Sequence, residues 1–510
     1  MSTRYKLIAA LLIILILVAG CKGSKPTPTP ASPEQTALQP AEPWQYSAPI
    51  DKGMSARALD EFFGIVSSYV DSVLVIRNGY IVLEQNSSNF PIESKHFLFS
   101  TTKSVLSILI GIAIDKGYIE GVDQQVLDYF PERTIRNLDE RKEALTLKHL
   151  LTMSSGFDCP ENETISQLTS SWDWDQFALD LPMSGNPGDA YHYCNANSHL
   201  LSSILSEATG MSALDFAHEH LFGPLDITDV QWDSDNSDRD KSRGFSGLWM
   251  VPHDLAKLGL LYLQGGVWEG EQIVSSAWVE ESTQAHTFSE DHGYRNGYGY
   301  QWWIGSDSDG WYMTSGSQGQ HLFVLPEQDI VVVFVGSYEQ ANNNLYERHI
   351  RNYLIPALDT PSLEEQVAEL ISVEPEPVPP LPEIARRVSG QTYILGPHTY
   401  LFEEFSLTFP EGASEATFSF RRYGLDYEFL VGLDNVWRVN TAMGPKLPQY
   451  RAMRGSWSGD DTFVMEQIDL DEEESWECIL TFQDDEVSFR FQFQSGTSPF
   501  YFETRGRLQE

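Results

Sequence analysis

The sequence is short of basic residues. Its 510 residues include 33 lysines and arginines against 73 aspartates and glutamates, which gives a formal net charge of −40. A chain of this charge repels other polyanions, so the composition argues against nucleic acid as a partner. The length and the hydrophobic content of 41% predict two domains with cores of their own rather than one.

Several catalytic motifs are also missing. The sequence contains no G-x-S-x-G nucleophile elbow, no H-E-x-x-H zinc motif and no phosphate-binding Walker loop. The H-E-H segment, His218 to His220, has no third ligand nearby, and we interpret it as the solvated side of a helix. The sequence therefore predicts neither a metal nor another cofactor.

Cysteine is scarce as well, and the four cysteines are Cys21, Cys159, Cys194 and Cys478. Cys159 and Cys194 flank one stretch of the same domain, and we expect them to form a disulfide, with two buried free thiols as the alternative. Cys478, in S-W-E-C-I-L-T-F, has the pattern of a buried strand residue.

One long apolar run is present, at the N terminus. In residues 1–21, Arg4 and Lys6 precede an apolar run that ends in V-A-G-C, the layout of a signal peptide. The ending resembles the bacterial lipoprotein signal, which implies cleavage before Cys21 and acylation of its thiol. An uncleaved membrane anchor is the alternative. Residues 22–43, rich in proline and small residues, predict an extended tether, so both interpretations place the remaining chain outside the cytoplasm, attached to a bacterial membrane.

The remaining chain divides at a second proline-rich segment. Residues 44–370 begin with a strand hairpin around Asn78-Gly79, continue through a mainly helical stretch and end in strands. This order predicts an α+β domain, with one antiparallel sheet built from both ends of the segment, flanked by helices, and an inserted helical region. Residues 371–384 form the predicted linker. Residues 385–510 contain short alternating aromatic segments, which predict a small all-β barrel or sandwich.

The helix that begins near Ser100 carries the first candidate for chemistry. S-T-T-K, from Ser100 to Lys103, places a hydroxyl and an amine on the same side of one helical turn, and an apolar row follows up to Ile114. A lysine in so buried a helix can lose part of its basicity and take the proton of the serine. The S-x-x-K pattern is a weak signal by itself, although it occurs only once in this chain. It predicts Ser100 as a nucleophile and Lys103 as its proton partner.

A second candidate is Y-C-N, from Tyr193 to Asn195, in a turn led by Pro-Gly just before a helix. A phenol beside the Lys103 ammonium is stabilised as a phenolate, so Tyr193 can exchange protons with Ser100. The Asn195 amide can hold the lysine and the carbonyl of a substrate. Aromatic packing before the helix is the alternative, and Y-x-N also occurs at Tyr294 to Asn296.

Four segments together resemble the serine β-lactamase and penicillin-binding-protein superfamily. They are S-T-T-K, Y-C-N, LTLKHLLTMSSGFD and GLWMVPHDLAKLGLLYLQGGVWEGEQIVSSAWVEEST, and the resemblance covers about residues 44–358. It points to the branch with class C β-lactamases, D-alanyl-D-alanine carboxypeptidases, related esterases and 6-aminohexanoate-dimer hydrolase. It implies that Ser100 is acylated, that Lys103 is its proton partner, and that Tyr193 and Asn195 form the second element. The C-terminal β domain resembles, more loosely, the small barrel appended to some of these proteins.

The third element of that family is K-T-G, H-x-G or W-G-G on the strand beside the serine. The best register in this sequence, set by G-Q-H-L-F-V-L-P, places Thr314-Ser315-Gly316 there, followed by Ser317. The resemblance implies that these residues contact substrate and that a main-chain N–H of this strand completes an oxyanion hole with that of Ser100. Ordinary strand residues are the alternative for Thr314 and Ser315. The segment offers hydroxyls but no cation.

The sequence thus predicts a membrane-tethered serine hydrolase that forms an acyl-enzyme on ester, amide or peptide bonds. Its expected partners are a small-molecule or peptide acyl substrate and the membrane that holds the lipid anchor. One alternative is a catalytically silent, penicillin-binding-like protein that captures a component of the cell envelope. Ser100, Lys103 and Tyr193 argue against it, because a pure binder needs no such trio. A second alternative is a surface lipoprotein whose function lies in the β domain.

Overall fold

The computed structural model describes residues 44–87, 90–236, 238–289, 296–305, 310–337, 345–398, 401–443, 448–470, 474–493 and 501–509. The predicted signal peptide, the tether and Cys21 lie outside these residues. None of the helices within them is long and apolar enough to cross a membrane.

The described residues contain twenty-four strands, arranged in two large and two small sheets, and thirteen α-helices. The first fourteen strands are β1 (Gln45–Tyr46), β2 (Ser72–Arg77), β3 (Tyr80–Asn86), β4 (His96–Phe97), β5 (Gln231–Trp232), β6 (Leu248–Met250), β7 (Val267–Trp268), β8 (Glu271–Gln272), β9 (Thr287–Phe288), β10 (Gly297–Tyr298), β11 (Trp303–Ile304), β12 (Tyr312–Gly316), β13 (Gln320–Leu325) and β14 (Ile330–Val335). The helices are α1 (Ala56–Val66), α2 (Thr101–Asp115), α3 (Glu140–Glu143), α4 (Leu147–Leu151), α5 (Glu161–Ser170), α6 (Trp174–Leu179), α7 (Asn195–Thr209), α8 (Ala213–Ala217), α9 (Pro252–Leu263), α10 (Ser276–Ser282), α11 (Leu345–His349), α12 (Leu363–Ile371) and α13 (Glu383–Val388).

Nine of these strands form the main sheet, in the order β1-β3-β2-β14-β13-β12-β11-β10-β9. Strands from the start and from the end of the segment meet at the β2–β14 pair, and the helical region lies between them in sequence, as predicted. The sheet is antiparallel, as predicted, except at one edge. Because α1 returns the chain between β1 and β2, the two-residue strand β1 pairs parallel with β3 at the edge of a mixed sheet.

Local sequence explains the central strands of this sheet. Asn78 and Gly79 both have positive φ, of 51° and 78°, and a two-residue turn with this geometry matches the twist of the strands that it joins. Strand β14, with the sequence I-V-V-V-F-V, is buried along its whole length because helices cover both faces of the sheet. Helices α2 and α9 pack on one face, and α1 packs on the other.

The C-terminal part of the chain is an all-β barrel. Its strands are β15 (Thr392–Leu395), β16 (Phe402–Thr408), β17 (Glu415–Arg422), β18 (Leu425–Gly432), β19 (Arg438–Met443), β20 (Pro448–Trp457), β21 (Thr462–Asp469), β22 (Glu474–Gln483), β23 (Glu486–Phe493) and β24 (Tyr501–Leu508). Strand β18 pairs with β17 on one side and with β20 on the other, at Gly432 and Arg454, and this second pairing closes the sheet. Alternating aromatic residues such as Phe405, Phe463 and Phe489 fill the interior. The sequence left open whether this domain is a barrel or a sandwich, and the structure shows a barrel.

Candidate active site

Ser100 lies at the point where the chain turns into α2. Phe99, the residue before it, has a φ of 46°, in the left-handed region that a non-glycine residue occupies at a cost of about 1–3 kcal/mol. Such strain is concentrated at functional sites in proteins. Ser100 itself remains partly exposed, whereas every residue from Thr101 to Ala113 is buried. The turn therefore presents one hydroxyl to solvent at the start of a buried helix.

Lys103 lies one helical turn further along and is 1% exposed. Its Nζ is 2.9 Å from Ser100 Oγ, and it donates a hydrogen bond of 2.8 Å to the Phe245 carbonyl. The same Nζ lies over the ring of Tyr193, 4.9 Å from its centroid. The structure thus brings together the serine, the lysine and the tyrosine that the sequence analysis selected.

Tyr193 is held by aromatic contacts in the turn before α7. Its ring stacks on that of Trp303 at 6.4 Å with an interplanar angle of 16°, and Trp303 packs edge-on against Tyr298 at 4.9 Å. Strand alternation predicts that one of Trp302 and Trp303 points away from the core. Both side chains are nevertheless buried. The reason is that three tyrosines cover Trp303, namely Tyr191, Tyr193 and Tyr298. Trp303 therefore orients the tyrosine instead of lying open to solvent.

The residues on both sides of Tyr193 fasten this turn to the rest of the domain. Cys194 forms a disulfide with Cys159, with a Cα–Cα distance of 5.8 Å, and both residues are buried. The backbone N–H of His192 also donates to the Met153 carbonyl at 2.7 Å. Asn195, the first residue of α7, is buried as well. The buried Cys478 is a free thiol.

Reduction of the disulfide is expected to destabilise the hydrolase domain and to reduce its activity. The bond joins residues 35 positions apart, for which the chain-entropy account gives about 4 kcal/mol of stabilisation. We expect reductant to lower Tm by about 5 °C or more, on the scale of about 2 °C per kcal/mol for a domain of this size. Thermal unfolding with and without reductant, in the natural chain and in a Cys159→Ala variant, checks this.

A Cys478→Ala variant is the matched control for that experiment, because it removes a buried thiol that forms no disulfide. Its Tm should respond to reductant as much as that of the natural chain. An unchanged Tm of the natural chain under reducing conditions would contradict the prediction.

Strand β12 carries Thr314, Ser315 and Gly316 to the N-terminal turn of α2. A Cβ added to Gly316 would lie 2.3 Å from the Leu98 carbonyl oxygen, so only glycine lets the strand approach the serine turn this closely. Thr314 is 1% exposed, and its hydroxyl lies 3.1 Å from Thr101 Oγ1. Its side chain thus packs against α2, away from solvent.

The two serines of this segment are the more accessible residues. Ser315 is partly exposed and Ser317 is exposed, while Thr314 and Gly316 are buried. Alternation along β12 explains why Ser315 faces away from Thr101. Of the four residues selected from the sequence, the serines are therefore the ones that a substrate can reach.

The Phe245 carbonyl is a site atom that sequence analysis missed. It is a main-chain atom in a segment without helix or strand, so no side-chain motif indicates it. The only sequence signal near it is the preceding glycine, Gly244. Its role is visible in the structure, where a Cβ at this position would lie 2.1 Å from the Ser198 carbonyl oxygen. Glycine lets this segment lie against α7, and the next carbonyl then faces Lys103.

A buried ionic cluster lies beside α7 and was also missed. His199 Nε2 is 3.2 Å from Asp175 Oδ1 and 3.5 Å from Asp235 Oδ2, and Lys241 Nζ is 2.7 Å from Asp175 Oδ2. Burial by itself would raise the pKa of Asp175, but the adjacent His199 ring and the hydrogen bond and positive charge of Lys241 bring it below its ordinary value. For Lys241, the two acidic partners outweigh burial and raise the pKa. These residues are far apart in sequence and follow no recognisable motif.

Comparison with known proteins agrees with this geometry. The profile of the family described as Beta-lactamase matches residues 64–353, more than half of the chain. The 6-aminohexanoate-dimer hydrolase of Paenarthrobacter ureafaciens is 27% identical over 337 residues, which cover 61% of this chain and 82% of that protein.

Solved structures share the fold. A Bacillus anthracis protein provisionally named 6-aminohexanoate-dimer hydrolase superposes with a TM-score of 0.52 at 20% identity, over 61% of this chain and 87% of its own. EstCE1, described as a hydrolase with promiscuous acyltransferase activity, gives 0.50 at 16% identity, over 60% and 98% of the two chains. The predicted relationship is confirmed, and the chain belongs to the β-lactamase family, in the superfamily of serine β-lactamases and penicillin-binding proteins.

Proposed function

We propose that this protein is a serine hydrolase that forms an acyl-enzyme at Ser100 and cleaves ester, amide or peptide bonds. The observation that carries the proposal is the 2.9 Å distance between Lys103 Nζ and Ser100 Oγ, at a lysine that is 1% exposed. A buried amine is easier to deprotonate than one in water, and a neutral Lys103 can accept the serine proton as Oγ attacks.

The remaining steps follow from the neighbouring groups. Ser100 Oγ bonds to the carbonyl carbon of the substrate, and the oxyanion is stabilised by the main-chain N–H of Ser100 and an N–H at the end of β12. The C–O or C–N bond then breaks, and the leaving group takes the proton through Tyr193, whose ring lies beside Lys103. Water then attacks the acyl carbon and gives its proton to the same groups in the reverse order. The acid is released, and the Ser100 hydroxyl is restored.

Two of the similar proteins are consistent with acyl transfer. The P. ureafaciens relative is named for the hydrolysis of a 6-aminohexanoate dimer, and EstCE1 is described as a hydrolase with acyltransferase activity. Both descriptions fit chemistry in which an acyl group passes to and from the protein.

Labelling with a fluorophosphonate probe tests the proposal directly. Intact-mass spectrometry should show one probe adduct per chain, peptide mapping should place it on Ser100, and prior labelling should abolish ester hydrolysis. Repeated turnover of a p-nitrophenyl ester separates a hydrolase from a silent binding protein, which would stop after at most one acylation. Absence of both labelling and turnover would overturn the proposal.

Uncharged substrates are expected to be preferred over substrates that carry a carboxylate. In the lactamases and carboxypeptidases that this domain resembles, the third element helps to hold such a carboxylate, and a charge-assisted contact contributes about 1.5–3 kcal/mol. Thr314, Ser315 and Ser317 supply no cation. We expect higher kcat/KM for short p-nitrophenyl esters and neutral amides than for a chromogenic cephalosporin, measured on one preparation.

A Ser317→Lys variant sharpens this comparison, because Ser317 is exposed next to β12. It should shift the ratio of kcat/KM toward the cephalosporin by about threefold or more, a modest gain because exposed ion pairs are weak. Ser372→Lys adds the same charge at an exposed position in the predicted linker and should leave the ratio unchanged. A natural protein that favours the cephalosporin by tenfold or more would contradict the prediction.

We also propose that the protein is lipid-anchored through Cys21 on the outer side of a bacterial membrane. The apolar N-terminal run ending in V-A-G-C supports this, and the Cys159–Cys194 disulfide fits an oxidising compartment. A Cys21→Ser variant should move from the membrane fraction to the soluble fraction. Retention of this variant in membranes would overturn the lipid-anchor proposal.

A further inference from the structure

The main-chain segment that carries the Phe245 carbonyl is held by backbone hydrogen bonds at its two ends and by side chains just before Phe245. Residues 243–247 form neither helix nor strand. The Arg243 N–H donates to the Asp233 carbonyl at 2.8 Å, and the Asp233 N–H donates to the Gly247 carbonyl at 2.9 Å. The Trp232 indole donates to the Arg243 carbonyl at 2.9 Å, and the Ser202 hydroxyl donates to the Ser242 carbonyl at 2.7 Å. Two helical or strand elements thus anchor the backbone just before Phe245.

The strongest anchor is Lys241, four residues before Phe245. Its Nζ contacts Asp175 Oδ2 on α6 at 2.7 Å and Glu207 Oε1 on α7 at 2.9 Å. The Asp175 side chain is 4% exposed and that of Lys241 is 10% exposed, so water screens this pair little. The ion pair ties the loop to two helices at once.

Further charged and polar groups surround Asp175. The Ser203 hydroxyl donates to Asp175 Oδ1, and Arg133 Nη2 lies 3.3 Å from Oδ2. His199, on the same face of α7, lies against both Asp175 and Asp235. With the acceptors of Asp175 occupied in this way, the carboxylate is fixed in orientation.

Asp175, His199 and Asp235 also form the one group of three metal-type ligands among the described residues, with ligand atoms within 4.8 Å of one another. Lys241 and Arg133, however, already bring two positive charges to Asp175. Lys241 and Arg133 thus supply the positive charge that a metal ion would otherwise provide, and we interpret the cluster as a network of ion pairs.

Resting on the function proposed above, we infer that the Asp175–Lys241 pair, with His199 and Asp235 beside it, is a positioning cluster for Lys103. It holds the loop so that the Phe245 carbonyl accepts from Lys103 Nζ, and the amine is thereby aimed at Ser100. Among the groups in contact with Lys103 are the Ser100 hydroxyl just before α2, the Phe245 carbonyl on the loop and the Tyr193 ring before α7. Lys241 acts through the loop and touches no substrate.

Two variants of the full chain test this inference, Lys241→Met and Asp175→Asn. Each should lower kcat for a neutral ester by about tenfold or more while KM changes by less than about threefold, because proton transfer is impaired and binding is not. Each should also move the acid limb of the kcat/KM profile to lower pH, because the Lys103 ammonium loses a carbonyl that stabilises it. If the lost charge acted on Lys103 only through its electric field, the acid limbs of the two variants would move in opposite directions. Lys241→Met removes a positive charge, whereas Asp175→Asn removes a negative charge.

Matched variants separate positioning from loss of stability. Lys257→Met removes another buried lysine, whose Nζ donates to the Asp226 carbonyl at 2.9 Å, and should lower Tm without moving the acid limb. Lys241→Arg preserves the charge and should retain kcat within about threefold. If Lys241→Met does not fold, Ser202→Ala removes a milder anchor of the same loop and should shift the acid limb in the same direction.

Unchanged kcat and pH profiles, or acid limbs that move in opposite directions, would overturn the positioning role. Stoichiometric metal in the purified natural protein that disappears in an Asp235→Asn variant would do so as well. Failure of the natural protein to label at Ser100 would instead overturn the proposed function, so the two failures are distinguishable.

Discussion

Replacement of Ser100 by alanine is expected to lower turnover by about 10⁴-fold or more while the protein stays folded. The change removes the atom that forms the acyl-enzyme, and loss of a nucleophile commonly costs this much or more. Stability should change little because Ser100 is partly exposed and precedes the buried part of α2. Lys103 keeps the Phe245 carbonyl as an acceptor in this variant. Steady-state hydrolysis of a p-nitrophenyl ester, together with Tm, measures both effects.

Ser104→Ala is the matched control for this change. Ser104 lies on the same helix, is buried, and donates to the Gln301 carbonyl at 2.6 Å. Its loss should cost about 1 kcal/mol of unfolding free energy, the ordinary contribution of a hydrogen bond, and should leave kcat within a few fold. A Ser100→Ala protein that keeps its activity would rule out the acyl-enzyme assignment.

Loss of either proton-transfer group should have the next largest effect. Lys103→Met keeps the apolar stem and removes the amine, and Tyr193→Phe keeps the ring against Trp303 and removes the hydroxyl. Each change should lower kcat by about 10² or more, the usual contribution of a general acid or base. Retention of the Trp303 contact makes the phenylalanine variant the cleaner test, because it alters the proton path with little change in packing.

The double variant Lys103→Met, Tyr193→Phe distinguishes one proton path from two independent contributions. If both residues serve the same transfer, the double variant should be no more than about tenfold slower than the slower single variant, since groups that act as a unit are strongly non-additive. Losses that multiply across the two sites would show that Tyr193 acts in a separate step. Pre-steady-state measurement of acylation and deacylation would then identify that step.

Features that depend on neighbouring residues were predictable from the sequence. The Asn78-Gly79 turn specifies its hairpin through two positive φ angles, and the apolar row after Ser100 specifies a buried helix. Alternating aromatic residues predicted a C-terminal all-β domain, a barrel or a sandwich, and the spacing of Ser100 and Lys103 predicted that their side chains meet on one turn.

Tertiary packing decided the features that join distant segments. The parallel edge strand β1, the Thr314 contact with α2 and the burial of Trp303 against Tyr193 each depend on which element lies alongside. Strand alternation indicates which side chains share a face, but it does not say whether that face is covered.

The sequence by itself determined the Ser100–Lys103 pair at the start of α2, because a helical turn places residues three apart on one face whatever surrounds it. Only the tertiary structure decided what holds that pair. The Phe245 carbonyl is a main-chain atom present at every position, and it becomes an acceptor for Lys103 only where Gly244 lies against α7 and Lys241 reaches Asp175. These contacts join segments up to 142 residues apart, and their geometry depends on the packing of the whole domain.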